Sequence, residues 1–266
     1  MKTAISLILG LALGAWGLAV WAGPVTADEI LDRVEEQSFL GTGRGSLYLA
    51  LGIVVDEPGL APRDYAFRVW AKDYPDGTTK TLLLYVLPPD VSGTLYLAHL
   101  PPEGKARIWL WLPDLEILKE LVGETERQGE FIAGSGLSYD DLASGFGYRE
   151  GYTAVLTGEE AVAGYPAWTL ALTPTAAGTD WARIVLWVHQ EEFIVLRAEF
   201  YDWAGKLSRR LTVPELVTDE IGRRPARLVV EDLVRGGQAT VEIEARSAAE
   251  IRDAYFEPGN LGKLEL

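Results

Sequence analysis

The amino-acid sequence predicts a mainly β protein: a strongly curved antiparallel sheet or incomplete barrel, preceded by one helix and interrupted mid-chain by a short helical cover. Three observations carry this. Apolar residues recur with period two along most of the chain from about Gly45. Turn residues separate those runs at hairpin spacing. Helix-start signals are few, and they lie before the first strand, in the middle of the chain and near its end.

The N-terminus reads as an export signal. Lys2 supplies a positive start, Ala4 to Val20 is an apolar run broken only by small residues and Ser6, and Val20-Trp21-Ala22 offers a cleavage site near Ala22. An uncleaved anchor is the alternative, because the run approaches spanning length. The expected organisation is therefore a signal peptide over 1–22 and a single domain over 23–266. No fixed-period repeat and no Ser-, Gly- or Pro-rich linker divides the latter.

Thr26-Ala27-Asp28-Glu29 is a capping box that opens a helix whose apolar stripe is Ile30, Leu31 and Val34. The strand pattern follows. Tyr65, Phe67 and Val69 alternate with Ala66, Arg68 and Trp70. Ile194, Leu196, Ala198 and Phe200 alternate with polar or outward neighbours, as do Val241, Ile243 and Ala245. Pro75-Asp76-Gly77, Pro88-Pro89-Asp90, Ala204-Gly205 and Gly236-Gly237 supply turns. About eleven or twelve strands result, mostly joined to their sequence neighbours.

After Leu112-Pro113 the strand rhythm stops. An apolar loop from Phe131 runs into Ser138, which with Asp141 forms a second helix start, Leu137 and Leu142 bracketing the cap. Such a segment suits a cover over a cavity. Ser247-Ala248-Ala249-Glu250 is a third capping box, leading into Ile251, Ala254 and Tyr255. Trp109 and Trp111 share a face with Lys105 and Arg107, so they are expected on the convex side, exposed or packed on lysine stems.

Composition narrows the function. The 266 residues are 48% hydrophobic and 24% charged, with 28 Gly and 14 Pro, which excludes a disordered or collagen-like chain. Cysteine is absent, which removes disulfides, thiolate ligands, cysteine nucleophiles and a lipidated N-terminal cysteine. A net charge of −15 argues against nucleic acid as a partner. His99 and His189 both read as loop residues, and no metal site or cofactor is expected. There is no nucleophile elbow, zinc helix or Walker loop. The pairs Asp140/Asp141 and Glu159/Glu160 fit capping and solvation better than acid–base work. The chain does not read as an enzyme.

Several segments carry a family resemblance. Phe131-Ile132-Ala133-Gly134-Ser135-Gly136-Leu137-Ser138-Tyr139-Asp140-Asp141-Leu142 resembles the F-M-G-S-D-F-S-Y-E-D-L signature of outer-membrane lipoprotein-sorting proteins of the LolA-like superfamily. Pro89 to Thr94, Ile108-Trp109-Leu110-Trp111-Leu112-Pro113, Gly158 to Pro166 and Glu199-Phe200-Tyr201-Asp202 are similar to further family motifs, in order. The signature methionine is missing, and Gly136 stands where the family has Asp.

The resemblance implies a fold of the LolA/LolB/RseB type, a half-open antiparallel β-barrel of about 11 strands wrapped around or covered by short α-helices. It also implies a periplasmic carrier of lipoprotein acyl chains or lipids. An inner-membrane transporter as donor, an outer-membrane acceptor and a monomeric carrier are then expected. The expected cavity wall is Phe67, Val69, Leu110, Leu170, Leu196, Phe200 and Ile243, with Phe131, Tyr139 and Leu142 from the lid. Arg44 stands where better-known carriers of this fold place a lid-holding arginine, although a solvated turn residue is the plainer reading. The alternatives are a sensory or interaction module of the same fold, or a lipid-handling accessory of an inner-membrane exporter of the resistance-nodulation type.

Overall fold

The computed structural model describes residues 25–36, 45–144, 151–175 and 179–266. The expected signal peptide and Arg44 lie outside the described residues. Helix α1 (Ala27–Glu36) begins as its capping box requires: Glu29 N–H donates to Thr26 Oγ1 at 3.2 Å, and the Glu29 carboxylate accepts from Thr26 N–H at 2.8 Å. Its stripe of Ile30, Leu31 and Val34 is buried, each side chain contributing about 1.5–3 kcal/mol.

A first run of strands follows: β1 (Ser46–Asp56), β2 (Arg63–Asp73), β3 (Thr79–Leu87), β4 (Leu95–Leu100), β5 (Arg107–Leu112) and β6 (Ile117–Glu120). The chain then passes through two short helices, α2 (Glu124–Arg127) and α3 (Tyr139–Ser144). The second run is β7 (Tyr152–Val162), β8 (Tyr165–Pro174), β9 (Arg183–His189), β10 (Val195–Tyr201) and β11 (Leu207–Thr212). A small separate hairpin, β12 (Leu216–Thr218) and β13 (Arg223–Pro225), precedes β14 (Arg227–Asp232) and β15 (Gly237–Ala248).

Thirteen strands form one antiparallel sheet in the order β6-β5-β4-β3-β2-β1-β15-β14-β11-β10-β9-β8-β7. It is built from two meanders, joined where β1 pairs with β15. The sheet is not closed: its edges are β6 and β7, so the architecture is a half-open barrel. Those two edges are consecutive in the chain. The segment between them, holding α2 and α3, therefore links the two lips. The strand number exceeds the expected 11 in part because β6 had no readable alternation, being exposed on both faces.

The sheet buries both faces of its first half. The concave cluster takes Phe67, Val69, Leu83, Tyr85, Tyr96, Ile108 and Leu110 with α1 and the second meander. The opposite face takes Leu82, Leu95, Leu97 and Trp109, covered by Ile251, Phe256 and Leu261 from the C-terminal segment. Trp109 is thus buried and Trp111 half-buried under that segment, not displayed on an open convex face.

Three further expectations are corrected. No α-helix follows the Ser247 box: Ser247 and Ala248 extend β15 opposite Tyr48 and Leu47, and two 3-10 turns follow, Asp253–Phe256 and Pro258–Lys263. Ladder pairing outcompetes the cap, and Pro258 bars a continuous α-helix. Ala245 is exposed because a register shift between Ala50 and Leu51 changes the phase of β15. His189 is not a loop residue: it ends β9, buried, its Nδ1 accepting from the N–H groups of Glu191 and Glu192 at 3.1 Å each. His99 is not a loop residue either: it lies within β4 opposite Lys80 and Arg107, one residue before the strand ends, and its Nε2 reaches Phe256 O at 2.8 Å.

Candidate functional site

The mid-chain cover is a loop over 130–138 running into α3. Phe131 N–H donates to Leu137 O, and Ser135 Oγ donates to Ile132 O at 2.7 Å, so the loop folds on itself. Gly134 and Gly136 take positive φ (81° and 68°), which turns their N–H groups onto the Glu130 carboxylate at 2.8 and 2.9 Å. At Gly136 a Cβ would meet only ordinary contacts, Asp232 at 3.7 Å and Val230 at 4.0 Å, so the left-handed backbone and not crowding favours glycine there. Phe131, Ile132 and Leu137 point into the concave cluster and are buried.

Helix α3 starts as its sequence predicts. Asp141 N–H donates to Ser138 Oγ at 3.0 Å, and the Asp141 carboxylate accepts from Ser138 N–H at 2.9 Å. Leu137 and Leu142 both belong to the concave cluster, which α3 covers by packing on β4.

Side chains from the barrel hold this lid down. Tyr85 OH donates to Phe131 O at 3.0 Å and Tyr96 OH to Tyr139 O at 3.1 Å. Tyr96 and Tyr139 stack, with ring centroids 6.0 Å apart. Arg209, from β11, donates from Nη1 and Nη2 to the two carboxylate oxygens of Asp141 at 2.7 and 3.1 Å, and from Nη1 to Gly136 O at 3.1 Å. Its guanidinium lies over Phe200 (4.2 Å) and Trp181 (4.9 Å). Arg127 bonds Asp140, Arg235 bonds Glu130, and Arg63 donates to Ala133 O at 2.8 Å. The Asp140/Asp141 pair is accordingly split between two arginines. The other pair, Glu159 and Glu160, is exposed, with Glu160 accepting the Trp187 indole N–H.

Burial sets the titration of this site. It raises Tyr85 and Tyr96 well above an ordinary phenol. It also pushes the Asp141 carboxyl up, but the Arg209 guanidinium and the Ser138 donors outweigh it and hold Asp141 below the usual range. Asp180 is raised, first by burial and then by the Asp141 and Asp140 charges.

All ten expected wall and lid residues belong to, or pack against, the concave cluster, which extends across both meanders, α1 and the lid. Phe67, Val69, Leu110, Phe131, Leu170, Leu196, Phe200 and Ile243 are buried members of the concave cluster, and Tyr139 and Leu142 pack against it half-buried. Phe67 bridges barrel and lid, its ring centroid 6.1 Å from that of Phe131. Sequence reasoning missed Tyr85, Tyr96, Trp181 and above all Arg209. A signal for Arg209 existed: it shares strand parity with the inward Leu211 and Val213, an unusual position for an arginine.

A family model described as "Uncharacterized protein" matches residues 77–263. None of the curated proteins matches the chain. Among solved structures, it is similar to a putative outer membrane lipoprotein-sorting protein domain from Vibrio parahaemolyticus, at 20% identity and a TM-score of 0.76, covering 88% of this chain and 97% of that one. A DUF1329 family protein from Desulfovibrio piger is 23% identical with a TM-score of 0.77, over 90% of this chain and 100% of that one. A LolA superfamily protein from Nitrosomonas europaea is 20% identical with a TM-score of 0.64, over 88% and 98%. At these identities the likeness is one of fold.

Proposed function

The chain belongs to the family whose model spans residues 77–263, and its fold is LolA-like; from that premise we propose that it is a periplasmic binding module for acyl chains. Lipoproteins or lipids would place their chains against the concave face beneath the lid and be carried towards the outer membrane. An inner-membrane donor and an outer-membrane acceptor complete this reading, with the carrier acting as a monomer and no catalytic step. Among the described residues no helix is long and apolar enough to cross a membrane.

The observation that carries the reading is a cover over the concave cluster that is tethered by side-chain hydrogen bonds rather than woven into the sheet. Energetics permit exchange. Burying Phe131, Ile132 and Leu137 stabilises the closed lid by about 5–9 kcal/mol. An acyl chain of about 16 carbons offers roughly 13 kcal/mol of gross transfer energy, of which association removes about 4 kcal/mol or more. Lid and ligand therefore compete for one surface on comparable terms, as loading and release require.

The test is displacement of a fluorescent fatty acid from the mature protein, with native mass spectrometry of material purified gently from periplasm. Leu142→Glu and Phe200→Glu should abolish probe binding while circular dichroism shows the sheet intact. Undiminished binding by both folded variants, or no binding by the parent protein, would remove the acyl-carrier reading. The interaction-module reading would then stand, favoured by the dense mutual packing of the side chains on the concave face.

A further inference from the structure

The two rims of the half-barrel differ in chemistry. Register places the β1–β2, β10–β11 and β14–β15 turns at one end, since Asp56 lies opposite Gln238, Asp232 opposite Gly237, and Arg209 opposite Asp232. Antiparallel alternation brings the β3–β4 and β5–β6 turns to the same end. The tips touch: a Cβ on Gly236 would lie 3.4 Å from Pro58, and one on Gly93 3.4 Å from Pro113. Each of these five fully described connections exposes at least one large apolar side chain at or beside its tip: Leu60 (60% exposed), Leu87 (46%), Leu115 (64%), Trp203 (62%) and Val234 (62%), the β5–β6 turn adding Ile117 (48%). At the other rim the turns are Pro75-Asp76-Gly77, Pro101 to Lys105, Ala163-Gly164 and Gln190 to Phe193, and the exposed large apolar residues near them are Val122 and Ile221.

We propose that the apolar-tipped rim is a docking edge for the surface of a zwitterionic phospholipid bilayer. Asp90, Asp114, Glu116, Asp202 and Lys206 stand beside the apolar tips, so charge interrupts the rim, unlike the apolar, charge-depleted core of a protein–protein interface. A fluid interface accepts separate insertions. Trp203 suits the headgroup level: its indole N–H is satisfied by Thr179 O at 3.2 Å, leaving the ring outward. Of the rim's exposed cations, Arg63 and Arg235 are already paired with Glu57, Glu130 and Asp232, while Asp90, Asp114 and Glu116 are exposed acids, so the rim offers no basic patch for anionic lipid. The rim is also continuous with the lid, whose loop is fastened there through Arg63, Arg235 and Arg209. Docking would present the lid loop to the bilayer.

The absence of cysteine makes the test clean, because one introduced cysteine labels uniquely. Leu115→Cys, Val234→Cys and, at the opposite rim, Ile221→Cys would each carry an environment-sensitive fluorophore and meet phosphatidylcholine/phosphatidylethanolamine vesicles. The expected result is a blue shift at positions 115 and 234 and none at 221. Vesicle flotation should fall about tenfold in a Leu115→Glu/Val234→Glu variant that keeps the parent's circular dichroism and fatty-acid binding. An unchanged spectrum at 115 and 234, an equal shift at 221, or a shift that grows with protein concentration in the absence of vesicles would overturn the proposal. The readout contains no cargo, so its failure is distinct from failure of the acyl-carrier reading.

Discussion

Arg209 reaches across from the second meander to grip Asp141 of α3 through both of its terminal nitrogens, at 2.7 and 3.1 Å. α3 itself packs on β4, so this ion pair ties a helix resting on one half of the barrel to a strand of the other. Both side chains are largely shielded, which makes the pair costly to break from one side.

Replacing Arg209 with Met should therefore leave a shielded carboxylate without its counterion and cost about 3 kcal/mol. The loss should be local. Hydrogen exchange should show lost protection over α3 and the 130–138 loop, with β8 to β10 retaining theirs.

Acid should release the lid late. Asp141 has a depressed pKa when folded, so its contribution is present above the ordinary carboxylate range and is lost only as pH falls through the depressed value. Asp180 has the opposite sign: its raised pKa means the charged form opposes the fold at neutral pH, a cost relieved on acidification. Asp180→Asn should accordingly raise the melting temperature at pH 7 and change little below about pH 4. Asp141→Asn should flatten the acid limb of the stability curve, measured by thermal melts across pH.

If lid and ligand compete, weakening the lid must strengthen binding. Tyr85→Phe removes the hydrogen bond to Phe131 O at a net loss of about 1 kcal/mol, and fatty-acid affinity should rise about fivefold. A fall in affinity would show instead that the lid forms part of the bound state.

The C-terminal cover should matter for stability and not for the interior. Phe256→Ala should cost about 3–5 kcal/mol by hollowing the cluster around Leu82, Leu97 and Trp109. Fatty-acid affinity, which reads the other face of the same strands, should stay within about twofold of the parent.

Strand parity made much of this molecule legible. Phe67 and Val69 alternate with wetter neighbours, and so do Leu196 and Ala198, although Glu199 beside Phe200 is buried too, held by Arg197, Arg210 and Tyr201. Both working caps, at Thr26 and Ser138, were legible because their partners lie three residues away. Failures came where distant contacts decide. Ser247 has the letters of a cap, but Tyr48 of β1 claims its backbone. Trp109 and Trp111 face outward from the barrel, and only the return of Phe256 and Leu261 covers them. β6 presents no dry face at all, so its pairing with β5 leaves no periodic trace. Arg209 was passed over because an arginine beside Arg210 reads as surface unless strand parity is followed into the turn.

The pairing of β1 with β15 also bears on how the chain reaches its native state. These strands stand at opposite ends of the sheet-forming sequence, whereas nearly every other ladder joins neighbours. Each meander can assemble from local hairpins, but the contact between them must await the last strand and close a loop of almost the full chain length. Until then β1 offers an unpaired edge, and Leu49, Leu51 and Ile53 lack β15 beside them. Slow refolding, and aggregation of chains shortened before β15, follow from that single distant seam.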